Sequence, residues 1–217
     1  MNLVQDCAAG GADLRAAVAG AGGRVLYVGI SCGLSSPYVA AQLQLAMDEG
    51  MDTAVIGFNP VEFARDAPMQ NWVGEAAATG KPSFRDVLRR LAARELGAGA
   101  GEGPGSAVVL NPVLGPEAIT GSSRMKGGSA TLMLLDICFT KALLVNAGAP
   151  APSAADCLGA FEQCCRATYL SAAAGLAEAI DRAAESLSSG SRVYYVGADA
   201  AAIVGMVDLS EMADTCA

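Results

Sequence analysis

Arg24-Val-Leu-Tyr-Val-Gly-Ile-Ser-Cys-Gly-Leu-Ser-Ser-Pro-Tyr-Val-Ala-Ala-Gln-Leu-Gln-Leu-Ala-Met-Asp-Glu-Gly50 changes character twice, and those changes decide the fold class. Arg24–Ile30 is short, apolar and rich in β-formers, as a buried parallel strand is. Ser31–Ser36 then breaks the pattern with hydroxyls and a glycine. Ser36 reads as an N-cap, Pro37 as a first helical position and Gly50 as the stop of a helix over Pro37–Glu49. A strand, a Ser/Gly loop and a helix in succession put backbone N–H groups and hydroxyls at the carboxyl edge of a sheet. Open α/β folds bind their ligands at that edge.

Working outward, Thr53–Phe58 and Ser106–Leu110 read as two further strands. Phe84–Leu96 reads as an amphipathic helix, with Phe84, Val87, Leu88 and Leu91 apolar and Arg85, Asp86, Arg89 and Arg90 facing out. Helices alternating with strands imply a parallel, helix-covered sheet. Gly97–Gly105 is a Gly-rich insertion, and Ala147–Ser153, with Pro150 and Pro152, marks the exit from a first domain spanning residues 1–150. Residues 151–190 read as an Ala-rich helical connector. Arg192–Gly197 then reads as a new strand and Ala198–Met212 as a helix, so residues 191–217 begin a second domain.

The run Asn111-Pro-Val-Leu-Gly-Pro-Glu-Ala-Ile-Thr-Gly-Ser-Ser-Arg-Met-Lys-Gly-Gly-Ser-Ala-Thr131 asks for the same chemistry as the first loop. It opens into the apolar segment Leu132–Val145. A helix start carries unpaired N–H groups and partial positive charge, which suit a phosphate or carboxylate. Ser122 and Ser123 can donate hydroxyl hydrogen bonds, and the planar fork of Arg124 matches a phosphate. Glu117, between Pro116 and the helix start, is expected to accept bonds from backbone donors.

Composition narrows the function classes. The chain has 217 residues with 53% hydrophobic and only 5% aromatic side chains, so much of its apolar content is alanine and burial per residue is modest. Net charge is −8, and no basic cluster could follow a phosphate backbone, which argues against nucleic acid. With no histidine, a Ser/His/Asp triad, a Cys/His dyad and a mixed-ligand zinc site are all excluded. The seven cysteines (Cys7, Cys32, Cys138, Cys157, Cys164, Cys165 and Cys216) lack metal or disulfide spacing and read as reduced thiols, mostly small core residues. No segment reads as a signal peptide, and Leu132–Val145 is too short to cross a bilayer, so neither a membrane nor a bound cofactor or metal is expected. The expected location is cytoplasmic, or nuclear in a eukaryote.

GISCGLSSPYVAAQL and LNPVLGPEAITGSSRMKGGSAT together closely resemble the sugar isomerase (SIS) domains shared by the glucokinase regulatory proteins and the N-acetylmuramic acid 6-phosphate etherases. The Gly-Pro-Glu…Thr-Gly-Ser-Ser-Arg-Met-Lys run is common to that group. Ser-Cys-Gly-Leu-Ser-Ser-Pro-Tyr, Ile56-Gly-Phe-Asn-Pro-Val61, Phe161-Glu162 with Thr168-Tyr169, and Arg192–Gly197 resemble the regulatory branch. The resemblance implies an α/β fold, a three-layer SIS-type (flavodoxin-like) parallel sheet with helices on both faces, incomplete at both ends. Residues 1–150 would be the C-terminal part of a first SIS domain and 191–217 the beginning of a second.

The resemblance also implies a ligand, a phosphorylated sugar such as fructose 6-phosphate or fructose 1-phosphate, and a hexokinase or glucokinase as a possible partner. Ser31, Cys32, Gly33 and Ser35 would line the first loop's share of the site, Ser123 and Arg124 would complete the phosphate cradle, and Lys126 would add charge without contact. The family's sugar-contacting glutamate falls at Gln5. The etherases use glutamates to remove and return protons, and an amide cannot accept a proton at neutral pH, so no catalytic residue is expected. Three readings remain: a sugar-phosphate-binding regulatory module, a carbon–oxygen lyase of the etherase type, and a truncated fragment without function.

Overall fold

Three apolar runs pair as parallel strands, β1 (Leu26–Ile30), β2 (Asp52–Ile56) and β3 (Ala107–Leu110), in the order β1-β2-β3. Their register sets Leu26 against Asp52 and Thr53 against Ala107. The computed structural model describes residues 6–72, 80–98, 105–119, 125–198 and 202–206. The chain divides into two units, Met1–Ala151 and Pro152–Ala217. The first holds the sheet with α1 (Cys7–Val18), α2 (Pro37–Asp48), α3 (Phe84–Ala98) and α4 (Lys126–Asn146). The second holds α5 (Ala154–Arg166) and α6 (Ala173–Ser188), joined by a π-helical turn over Ala167–Ser171. This is a mixed α/β arrangement consistent with an SIS-type fold.

Right-handed crossovers β1-α2-β2 and β2-α3-β3, stepping the same way across the sheet, put α2 and α3 on one face. The two helices touch there, and Leu43, Val55, Phe84, Val87, Leu88 and Leu91 are buried between them and the sheet. The α3 residues are the ones its periodicity assigns to the core. A capping box starts the helix: Ser83 Oγ accepts from the Asp86 N–H and Asp86 Oδ2 accepts from the Ser83 N–H. The backbone N–H and hydroxyl of Ser83 hold the Asp86 carboxyl below its ordinary range.

At the opposite strand edge Asp52 joins all three strands. It accepts from the N–H and hydroxyl of Ser106 at 3.0 and 2.9 Å and from Arg24 at 3.0 Å. Burial works against its charge, but these donors outweigh it and lower its pKa. Helix α1 was not expected from the sequence. It lies across α2, where a Cβ on Gly10 would overlap the Tyr38 backbone, so this crossing requires glycine. The Cys7 thiol beneath it is fully buried, and burial, helped by the Asp6 charge, pushes its pKa up to about 11.

The second sheet face carries Leu26, Val28, Ile30, Ala54, Ile56, Val108 and Leu110. Apart from Asp52 at its end it is apolar, as a parallel sheet covered on both sides is, yet Leu26 and Ile30 are exposed while Ile56 is buried. Among the described residues the packed helix layer lies on one face. Helix α4 buries only Gly127 and Ile137.

Three expectations are corrected. Helix α4 begins at Lys126 rather than Leu132 and runs for 21 residues, with a mean hydropathy of 1.6 in its most apolar window. It is therefore long and apolar enough to cross a membrane by length and composition; one such helix is weak evidence of a span. Residues 191–198 form no strand, because no neighbouring strand supplies a ladder to them among the described residues. The described residues of the following helix are 202–206. Among the six described cysteines, Cys7 alone is buried; Cys138, Cys164 and Cys165 stand on outward helix faces.

Candidate functional site

The strand ends at the carboxyl edge are stitched into one surface by backbone bonds. The Ser31 N–H donates to the Ile56 carbonyl at 3.0 Å, the Gly57 N–H to Leu110 at 3.1 Å and the Phe58 N–H to Cys32 at 2.9 Å. Asn111, the first residue after β3, donates its side-chain amide to the carbonyls of Gly57 and Asn59 at 2.9 and 2.7 Å. The loops after β1, β2 and β3 are thus fixed against each other where an α/β sheet binds ligands.

Ser31 is buried and faces inward. Its Oγ accepts from the N–H groups of Ser35 and Ser36, at 3.1 and 3.4 Å. Its role is to shape the loop that starts α2, a task the sequence assigns to Ser36, whose side chain makes no cap bond. Leu34 has a left-handed backbone, φ 50°, which costs a non-glycine residue about 1–2 kcal/mol. Its side chain is 1% exposed and sits over Gly57, where a Cβ would overlap it. Burial of that leucine holds the strained turn in place. Cys32 and Gly33 are half-buried and Ser35 is exposed. No hydrogen bond engages the N–H of Cys32 or Gly33 among the described residues, so both are available as backbone donors.

The second loop meets the first at the start of α4. Glu117 Oε2 accepts from the Lys126 N–H and Oε1 from the Gly127 N–H, both at 2.8 Å. In return Lys126 Nζ donates to the Leu114 carbonyl at 3.1 Å. Met125, at the N-cap position, makes no side-chain cap bond, so Glu117 caps the helix from nine residues upstream. The Gly127 and Lys126 N–H groups hold its carboxyl below the ordinary range. Gly127 lies close to both loops: a Cβ there would stand 3.2 Å from Glu117 Oε1 and 3.3 Å from Cys32 Sγ and the Phe58 ring.

A cavity of about 120 Å³ lies between these segments, lined by Cys32 and Gly33, by Phe58 and Asn59, and by Glu117 and Gly127. Of the residues expected in the site, Cys32 and Gly33 line this cavity. Ser31 and Ser35 belong to the same loop. Gln5, Ser122, Ser123 and Arg124 lie outside the described residues. Asn59 and Asn111 are site features that the sequence reading does not single out, whereas the bonds of Glu117 to backbone donors are the expected ones. The signal for the glutamate was its place after Gly115-Pro116, just ahead of a helix with glycines in its first turn.

The family model described as the glucokinase regulatory protein N-terminal SIS domain matches residues 3–47. Glucokinase regulatory protein from Xenopus laevis is 34% identical over 88% of this chain, and that from Homo sapiens is 36% identical over 85%. The matches span 29% and 28% of those relatives. N-acetylmuramic acid 6-phosphate etherase from Edwardsiella ictaluri is 29% identical over 56% of the chain and 28% of its own length. Over most of its own length, therefore, the chain is homologous to glucokinase regulatory proteins, and over about half of it the chain is more distantly similar to an N-acetylmuramic acid 6-phosphate etherase.

Proposed function

We propose that the chain is a sugar-phosphate-binding regulatory module and not an enzyme. The observation that carries this is the carboxyl-edge loop Ser31–Ser36, which leads into α2 with the N–H groups of Cys32 and Gly33 unengaged among the described residues, beside a second loop tied to the start of α4. Backbone donors at a helix start suit a phosphate, and the exposed Ser35 adds a hydroxyl. Ser123 and Arg124 supply the remaining donors by their chemistry and their place in the shared motif. The similarity to glucokinase regulatory proteins supports a glucokinase as the partner, and the motif resemblance implies fructose 6-phosphate or fructose 1-phosphate as the ligand that sets its affinity. Such control requires the ligand to bind two states of the protein unequally.

The lyase reading needs a carboxylate base, and the etherases' glutamate position holds Gln5. Glu117 does not replace it. Two backbone N–H groups stabilise its charged form and weaken it as a base. The test is isothermal titration of the purified chain with fructose 6-phosphate. Saturable binding is expected, weakened at least tenfold by Arg124→Ala, which corresponds to about 1.4 kcal/mol. A folded chain that gives no heat would sink the proposal.

A further inference from the structure

The largely apolar cavity between the two loops carries two polar groups that phosphate binding does not account for. Each carboxylate oxygen of Glu117 takes one N–H from the first turn of α4 and retains further acceptor capacity. Asn59 donates its side-chain N–H to the Gly33 carbonyl at 3.3 Å, and nothing bonds its side-chain oxygen among the described residues. One wall of the cavity is therefore a full negative charge and another presents an amide oxygen. Both accept hydrogen bonds, and the charge repels an incoming anion. The chain has already placed its own anion on the α4 terminus, so that helix start is not open to a phosphate in the way the Ser31–Ser36 loop is.

We infer that this cavity is a hydroxyl subsite, in which Glu117 and Asn59 accept hydrogen bonds from the polyol end of a ligand whose phosphate lies at the Ser31–Ser36 loop. The inference rests on the sugar-phosphate reading and makes Glu117 a specificity-determining residue. A phosphorylated sugar with free hydroxyls at its far end fits the lining. Bare phosphate gains nothing from it. A sugar carrying a second anionic group at the far end meets a carboxylate at short range and is rejected.

Titration of the full chain with fructose 6-phosphate, inorganic phosphate and fructose 1,6-bisphosphate tests this. The wild-type chain should prefer fructose 6-phosphate at least tenfold over each of the others. Glu117→Gln removes the charge and should erase most of that preference, weakening fructose 6-phosphate, leaving phosphate no weaker than in the wild type and improving the bisphosphate. Gly127→Ala keeps the charge but crowds the cavity wall, since its new methyl would stand 3.2–3.3 Å from Glu117, Cys32 and Phe58. It should weaken fructose 6-phosphate and leave phosphate unchanged, and it carries the test alone if Glu117→Gln proves unfolded by circular dichroism. Equal loss of phosphate and sugar phosphate in both variants would reduce Glu117 to a structural tie and overturn the inference. Unchanged fructose 6-phosphate binding in a folded variant overturns it too. A wild-type chain that binds phosphate without preferring the sugar sinks the inference but not the proposed function; one that binds neither sinks both.

Discussion

The two loops of the site lie at one sheet edge and are held by opposite means. The first is anchored from below. Leu34 is buried over Gly57 in a strained backbone, and the buried hydroxyl of Ser31 gathers the N–H groups of Ser35 and Ser36. The second is tied at the surface, by the Glu117 carboxylate on two N–H groups of α4 and by Lys126 on the Leu114 carbonyl. Packing fixes one and charge fixes the other. A loop fixed by packing shares the fate of the core and ignores pH, whereas a loop fixed by a carboxylate can be released while the core stands. A binding site built from both has one rigid wall and one that solution conditions can move.

The largest effect that would break this contrast is at Leu34. Leu34→Ala should destabilise the first unit by about 2–5 kcal/mol in chemical denaturation, as for other buried leucines. Leu34→Gly should be no worse, although glycine removes one more carbon, because it relieves about 1–2 kcal/mol of left-handed strain. If glycine is clearly the worse of the two, the strained turn is not what the leucine holds. Gly57→Ala, whose new methyl overlaps the Leu34 side chain, should cost about 1–3 kcal/mol by overpacking. Glu117→Ala should fall well short of these in a global melt. A loss of equal size would mean that the second loop is part of the core after all.

Asn111→Ala comes next. It removes the amide that joins the start of the second loop to the Gly57 and Asn59 carbonyls, leaving two acceptors without that donor, and should cost about 1–3 kcal/mol. Asn111→Asp sharpens the result. A carboxylate in place of the amide puts negative charge against two carbonyl oxygens, so it should be at least as damaging as alanine. A neutral outcome would show that the loops keep their spacing without this residue.

What the sequence made legible was whatever announces itself by local pattern. Apolar β-forming runs located β1, β2 and β3 within two residues, Pro37 marked the first residue of α2, and the periodicity of Phe84, Val87, Leu88 and Leu91 named core positions that are all buried. What it hid depended on partners distant in the chain. Helix α1 is rich in alanine and glycine and shows little amphipathic contrast; its buried Gly10 has meaning only at the crossing with α2. Helix α4 starts six residues before the point at which its apolar pattern begins, through Gly127 and Gly128, because Glu117 caps a turn that glycine alone would leave weak. In the site, the Ser-Gly motif revealed the loop but not that Ser31 points inward, since a hydroxyl that shapes a loop and one that contacts a ligand have the same sequence signature. The exposed cysteines show the same limit: the residue type alone does not say whether a cysteine stands on the buried or the outward face of its helix.

The smallest expected effect separates the two anchors most cleanly, because it is local. The Glu117 carboxyl sits below its ordinary range since its charged form accepts two N–H bonds. A group with a lowered folded pKa contributes stability that is fully present above its unfolded value and lost as pH falls through its folded value. Acidification through the ordinary carboxylate range and below should therefore loosen the tie at Lys126 and Gly127. Asp52 and Asp86 are lowered as well and weaken the core over the same acid window, so a global melt cannot tell these contributions apart. Amide exchange read residue by residue can. Protection at Lys126 and Gly127 should fall before protection at Ser35 and Ser36, whose N–H groups rest on a hydroxyl that does not titrate. In Glu117→Gln the order should disappear, with Lys126 and Gly127 already weakly protected at neutral pH. Simultaneous loss at all four amides would mean that acid simply unfolds the unit, and the distinction between a packed loop and a charged one would fall with it.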